Sequence, residues 1–229
     1  NPGVKAVLIT HNETSTGVTN DLKSIASVVK KEFDKLLLVD GISSTGSLPL
    51  HTDQWGCDVV VAASQKGWML PPGLSFISFS DRAWEEHYKA RMPKLYFDLS
   101  EYKHYYEIGQ PPYTPSISTF FALDLALKKM LEEGMVNVFN RHAQIGQITR
   151  DGIKQMGLSI FPHELIASNT VTAVKVPEKI QSQHLIRQLR EQHDVVVAGG
   201  QQSLSGKIFR IGHMGQCSKL EIQDVIDSL

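Results

Sequence analysis

The chain has 229 residues, 41% of them hydrophobic and 21% charged, with a net charge of −1. Those values suit one large or two modest globular domains and exclude a disordered chain. The near-neutral charge gives no basis for a nucleic acid or an anionic membrane as partner. Two distant cysteines, Cys57 and Cys217, argue against a disulfide framework and for a reducing, cytoplasmic setting. No apolar run is long enough to span a bilayer, and no secretory signal pattern opens the sequence.

Val4 to Thr10 is an apolar run of strand length. His11 to Gly17 is polar and reads as a loop. Asn20 or Asp21 can cap a helix whose apolar face is Leu22, Ile25, Ala26, Val29 and Phe33. Leu36-Leu37-Leu38-Val39-Asp40 follows as a second strand, so the first forty residues form a βαβ unit and predict a parallel sheet. Asp58 to Ala63 is a third strand, and Leu74 to Phe79, after Pro71-Pro72-Gly73, a fourth. Such near-continuous Val, Leu and Ile runs predict strands covered on both faces.

Asp81 to about Arg91 reads as a short helix. Residues 92–115, rich in Tyr, Pro, Lys and His, read as a long loop, and a loop of that length is usually functional. A helix over Ser116 to Glu133 carries Phe120, Leu123, Leu127 and Leu131 on one face and stops at Gly134. A longer helix runs from Met135 to Met156, with Gly157 at its end. The pattern then changes. Strands are expected at Thr170–Val176, Val195–Val197 and Lys207–Ile211, with a helix over Gln183–His193. Ser218-Lys219-Leu220-Glu221 is a capping box that opens the last helix.

The expected fold class is therefore α/β. A larger domain over residues 1–145 is built on a mostly parallel sheet, and a smaller α+β domain covers residues 146–229. The chain opens Asn1-Pro2-Gly3 without a methionine and passes at once into a strand. Part of a longer polypeptide is expected, and an intact mass near 25.5 kDa would contradict that.

The chemistry concentrates at strand ends. Ser64-Gln65-Lys66-Gly67 closes the third strand, and Asp40 closes the second. Open α/β sheets bind ligands just beyond the carboxyl ends of their strands. A lone lysine is usually a solvated surface charge. Here the apolar Trp68-Met69-Leu70-Pro71-Pro72 follows, a setting that strips water from an ammonium and favours a nucleophilic amine. Asp40 alone could simply cap the turn formed with Gly41, Ser43 and Ser44. Together the two supply what a pyridoxal phosphate enzyme needs: an amine to hold the aldehyde and a carboxylate to keep the pyridine nitrogen protonated. His11-Asn12-Glu13-Thr14-Ser15-Thr16-Gly17 adds a third loop at the end of the first strand. No Gly-x-Ser-x-Gly elbow and no Gly-x-Gly-x-x-Gly turn is present. His51, His87, His104, His142 and His163 lack metal-ligand spacing and read as surface or packing residues, so no metal site is expected.

His-Asn-Glu-Thr-Ser-Thr-Gly, Leu-Leu-Leu-Val-Asp, Ser-Gln-Lys-Gly with Pro-Pro-Gly, and Phe209-Arg210-Ile211-Gly212 occur in this order. Together they resemble the class V aminotransferases, specifically their alanine–glyoxylate/serine–pyruvate branch. The resemblance implies a pyridoxal 5'-phosphate enzyme of fold type I. It would move an amino group from alanine or serine to a 2-oxo acid such as glyoxylate or pyruvate by a ping-pong course. It implies Lys66 as the Schiff-base lysine and proton shuttle, and Asp40 as the partner of the pyridinium nitrogen. Ser15 and Gln65 fall near the cofactor ring and its 3-hydroxyl or phosphate, and Ile42 packs on a ring face. Tyr113 and Thr114 fall where relatives reach the phosphate of a neighbouring subunit, although relatives space them further apart. Arg210 matches the arginine that grips the substrate carboxylate; without the resemblance, an inter-domain salt bridge is an equal reading of it. A homodimer with residues 92–115 at its interface is implied. The family's phosphate-binding turn and ring-stacking aromatic lie upstream of the matched region and are not found, so residues 1–229 are not expected to build the whole site. Alternatives are another fold type I enzyme (a desulfurase, with Cys217 as its thiol, or a lyase), a non-catalytic scaffold, and a hydrogenase-associated subunit.

Overall fold

Successive side chains of a β-strand point to opposite faces, and the sheet of this protein divides accordingly. The structure, a computed structural model, describes residues 3–229; Asn1 and Pro2 lie outside the described residues. Strands β1 (Ala6–Thr10), β4 (Leu36–Asp40) and β5 (Val59–Ala63) pair in parallel, and β6 (Ser75–Phe79) joins β5 antiparallel, in the order β1-β4-β5-β6. The register aligns Thr10 with Asp40 and Asp40 with Val61. On one face Val7, Ile9, Leu37, Val39 and Val60 pack with Leu22, Ala26 and Val29 into a core.

Among the described residues the expected cover is present on this face, and the other is exposed. Leu8 is 75% exposed and Ile77 50%. Leu8, Leu38, Val59 and Val61 floor a concavity of about 400 Å³, with Thr10 and Asp40 at its carboxyl end. Helix α1 (Leu22–Ser27), the helix of the βαβ unit, lies against the Leu37 and Val39 side. The Asp21 carboxylate caps α1 by accepting the Ser24 N–H. A π-helical turn over Val28–Glu32 follows. Its wider winding shifts the helical register, so Phe33, expected on the apolar face, is 61% exposed.

Two further elements depart from the sequence reading. The expected loop over 92–115 contains a nine-residue helix, α4 (Leu99–Glu107), capped by Asp98. Its contacts are polar and aromatic: Ser100 bonds His87 at 2.8 Å, and Tyr102 packs on Tyr113. A search for aliphatic periodicity passes over such a stripe. Before it, α2 (Thr52–Trp55) ends on left-handed Gly56, and α3 (Asp81–Lys89) is capped by the Ser80 hydroxyl. The expected strand Val195–Val197 is also absent. Asp194 ends α7 (Ser182–His193) in the left-handed conformation, the Val195 N–H returns to the Leu189 carbonyl, and strand β8 forms over Ala198–Gly199.

Helices α5 (Ile117–Glu133) and α6 (Met135–Gln155) meet at Gly134, whose φ of +81° suits the break. The expected stripe of α5 faces outward at Phe120, Leu127 and Leu131, while Thr119, Ala126 and Met130 are buried. Strands β7 (Val171–Lys175), β9 (Ile208–Gly212) and β8 form an antiparallel sheet in the order β7-β9-β8. A second core holds Ile145, Ile153, Val174, Leu189, Phe209 and Ile222, the last from α8 (Lys219–Asp227). Helix α6 runs unbroken through residues 145–146.

Candidate active site

Parallel strands end on the same edge of a sheet. Loops 11–21, 41–51 and 64–74 therefore leave β1, β4 and β5 side by side. Asp40 is the last residue of β4. Its Oδ1 accepts the Ile42 N–H at 3.0 Å, the turn-capping role its surroundings allow, while no described group donates to Oδ2. The Gly41 N–H donates to the Val61 carbonyl at 2.9 Å, which holds the start of this loop against β5.

The lysine loop is closed at its base by Ser64, which is fully buried. The Ser64 carbonyl accepts the Leu70 N–H at 3.1 Å. Its hydroxyl donates to the Pro71 carbonyl at 2.7 Å and accepts the Leu74 N–H at 3.2 Å. Lys66 sits half-buried on this loop, and its amine has no hydrogen-bond or ion-pair partner among the described residues. Gln65 beside it is exposed. Gly67 turns its α-carbon onto the Asp40 loop, where an added Cβ would lie 2.4 Å from Ser47 Oγ and 2.5 Å from the Thr45 carbonyl. Only glycine fits there.

The third loop, expected as irregular, holds a small antiparallel hairpin of β2 (Asn12–Glu13) and β3 (Val18–Thr19). Asn12 is 2% exposed. Its Nδ2 donates to the Ser43 carbonyl at 3.3 Å and to Thr170 Oγ1 at 3.0 Å, and its Oδ1 accepts the Thr19 hydroxyl at 2.7 Å. The hydroxyls of Thr14 and Ser43 are 2.5 Å apart. The Ser15 N–H donates to Glu13 Oε1 at 2.8 Å, and the Ser15 hydroxyl keeps no described partner. His11 is buried edge-on to Trp55, and burial pushes its pKa down to about 4, so the ring is neutral at physiological pH.

Arg210 projects from β9 into the same region. It is 8% exposed, donates from Nε to the Gly199 carbonyl at 3.0 Å, and donates from Nη1 to the Thr14 carbonyl at 3.2 Å. No described carboxylate pairs with it, so the alternative reading of Arg210 as an inter-domain salt bridge is not met, and its described partners are carbonyls. A buried guanidinium with no counter-charge is a ready site for a carboxylate.

The structure thus gathers Ser15, Asp40, Ile42, Gln65 and Lys66 onto three adjoining loops and ties Arg210 to one of them. Tyr113 and Thr114 are exposed. The Tyr113 hydroxyl donates to the Leu95 carbonyl at 3.2 Å and its ring packs on Tyr96. No hydrogen bond or ring contact joins either residue to Asp40 or Lys66 within the described chain. The sequence reading placed Asn12, Thr14 and Ser43 in strand-end loops but gave them, and Thr45, no part in bolting the loops together. Their one sequence signal is a cluster of Asn, Ser and Thr directly after a strand, the residue types that bond backbone in turns.

The family model for aminotransferase class-V matches residues 1–220. The chain is 41% identical over 225 residues to the soluble hydrogenase small subunit of Synechococcus sp., covering 98% of this chain and 58% of that protein. It is 39% identical over 225 residues to the serine–glyoxylate aminotransferase of Arabidopsis thaliana, covering 97% and 56%. Among solved structures, the pyridoxamine–pyruvate aminotransferase of Mesorhizobium loti superposes with a TM-score of 0.93 at 32% identity, over 100% of this chain and 59% of that one. The chain spans less than two thirds of the length of these relatives. A match over nearly all its residues, on a fold shared with a solved relative, places the chain in the class-V aminotransferase family.

Proposed function

We propose that this chain carries the lysine, aspartate and arginine of a pyridoxal 5'-phosphate-dependent aminotransferase acting on a small amino acid, alanine or serine, and a 2-oxo acid such as glyoxylate or pyruvate. The observation that carries the reading is one rim of three loops. It holds an unpaired amine at Lys66, a carboxylate at Asp40 with one uncommitted oxygen, and the buried, uncompensated Arg210 bound to Thr14. That donor set fits the cofactor: a carboxylate for a ring nitrogen, an amine for an aldehyde, and a free Ser15 hydroxyl for a ring oxygen.

When bound, the cofactor supplies an aldehyde carbon and a cationic ring that draws electrons from the substrate α-carbon. Asp40 holds a proton at the ring nitrogen by opposite charge. The Lys66 amine would take and return a proton at the substrate carbon. Arg210 presents its planar fork to the substrate carboxylate, and its anchorage on the Thr14 and Gly199 carbonyls fixes the direction of that fork. Ile42 and Gln65 would flank the ring.

Residues 1–145 form the cofactor-bearing unit in this reading and residues 146–229 the smaller one. A homodimer is proposed, with Tyr113 and Thr114 serving a neighbouring copy, because both are exposed and the Tyr113 hydroxyl is bonded to Leu95 rather than to the loops of Asp40 and Lys66. Cys217 supports the transferase over a desulfurase: burial, with the Glu221 charge, holds its thiol above the usual range and so disfavours the thiolate. The name of the Synechococcus relative favours a second reading, a hydrogenase-associated subunit.

The test uses the full-length protein. Lys66→Ala removes the visible absorbance of the lysine-bound cofactor, and the unaltered protein changes spectrum when alanine or serine is added. A Lys66→Ala protein that keeps that band overturns the assignment. Stable co-purification with a heteromeric partner, in protein free of cofactor, favours the second reading.

A further inference from the structure

Trp68 lies two residues past Lys66, and nothing in the reading above gives it a task. Its indole N–H donates to Thr45 Oγ1 at 3.2 Å. The Thr45 hydroxyl passes the contact on, donating to the Gly41 carbonyl at 2.9 Å. Gly41 is the residue after Asp40, and its own N–H is bonded to β5. A relay therefore runs from the loop of Lys66 to the base of the loop of Asp40. Packing reinforces it. Gly67 and Gly46 lie backbone to backbone, with an added Cβ on Gly46 only 3.0 Å from the Gly67 carbonyl carbon. The Trp68 ring leans on Phe76 of β6, centroids 4.7 Å apart.

The backbone next to Trp68 is also strained. Met69 holds φ at +62°, a conformation costly for a residue with a side chain. Its N–H donates to the Lys66 carbonyl at 2.9 Å, closing a tight turn directly behind the lysine. Such a turn persists only where its surroundings over-determine it. The indole anchor and the glycine contact are what hold it.

We propose that Trp68, acting through Thr45, is a positioning residue that fixes the Lys66 amine relative to the Asp40 carboxylate. A displacement of about 1 Å between reacting groups can cost roughly a hundredfold in rate, so a clamp between the two loops acts on catalysis rather than on substrate affinity. The proposal rests on the cofactor reading of Lys66 and Asp40.

The experiment compares Trp68→Phe, Thr45→Val and the double variant in the full-length, cofactor-loaded protein. Phenylalanine keeps the ring stack on Phe76 and removes only the N–H; valine keeps the shape of threonine and removes the hydroxyl. Each single variant is expected to bind the cofactor stoichiometrically, to lower kcat about five- to tenfold with KM within twofold, and to weaken the visible circular dichroism of the bound cofactor. The double variant is expected to be no worse than either single one, because both changes cut the same relay. Amide hydrogen exchange over residues 64–70 is expected to quicken about tenfold in Trp68→Phe, and this readout needs no cofactor. Unchanged kcat and unchanged dichroism in both single variants overturn the proposal, as do effects that multiply in the double variant. If the unaltered protein shows no cofactor band, the aminotransferase reading falls instead, and unchanged exchange in Trp68→Phe then overturns the clamp by itself.

Discussion

Replacing Asn12 by alanine removes the side chain that ties three parts of the chain together. Asn12 bonds the Ser43 carbonyl and the Thr170 hydroxyl, and accepts from Thr19. Thr170 is 158 positions away and belongs to the antiparallel-sheet unit. Each such bond contributes about 1 kcal/mol net. The Thr170 hydroxyl keeps its 3.1 Å contact with Ser168 and Thr19 is only half-buried, so the carbonyl of buried Ser43 is the main group left stranded. The expected loss is therefore about 2–3 kcal/mol. Thr170→Val, which breaks one of the three bonds and the Ser168 contact, should cost about 1–2 kcal/mol. Urea unfolding measures both. The three tryptophans, Trp55, Trp68 and Trp84, all precede residue 145, so their fluorescence follows the parallel-sheet unit while far-ultraviolet circular dichroism follows the whole chain. In Asn12→Ala the two transitions should separate, with the dichroism midpoint no longer matching the fluorescence midpoint. A loss below about 0.5 kcal/mol, or transitions that still coincide, refutes the view that Asn12 couples the units.

Other outcomes follow from single sites. His11 and His213 are buried, and burial lowers their pKa values to about 4 and about 3. In the unfolded chain they take up protons near 6.5; hence stability is fully present above pH 6.5 and drains away as pH falls toward 4. From 6.5 to about 4 this is on the order of 3 kcal/mol for His11, and His11→Asn should flatten the pH dependence of the urea midpoint between 6.5 and 4.5. Gly67→Ala should destabilise by about 1–3 kcal/mol, because the new methyl meets backbone at 2.5 Å; a melting temperature equal to that of the parent would show that the loops can separate. Phe209→Ala, at a position with no exposure, should cost about 3–5 kcal/mol in chemical denaturation. Arg210→Lys keeps a charge but loses the fork, so KM for the amino acid should rise more than kcat falls; the reverse ratio would count against a carboxylate-binding role.

Some of this molecule could be read from local pattern alone. The apolar runs at 4–10 and 36–40 and the helical spacing between 22 and 29 dictate a βαβ unit, because period and burial are properties of neighbouring residues. The capping box at Ser218 and Glu221 forms as its four residues imply. Asp40 and Lys66 were conspicuous because each ends an apolar run. Tertiary structure decided the rest. It set which face of the parallel sheet the described residues cover, leaving Leu8 and Ile77 exposed, since cover on a strand comes from elements elsewhere in the chain. It turned Val195–Val197 into a connection after left-handed Asp194, where strand propensity yielded to the geometry of a helix end. It denied Arg210 a carboxylate and gave it the carbonyl of Thr14, 196 positions away. Local sequence fixes which residues are apolar, capped or turned; which polar atoms then meet across the fold depends on chain closure over more than a hundred residues, and no local periodicity records it.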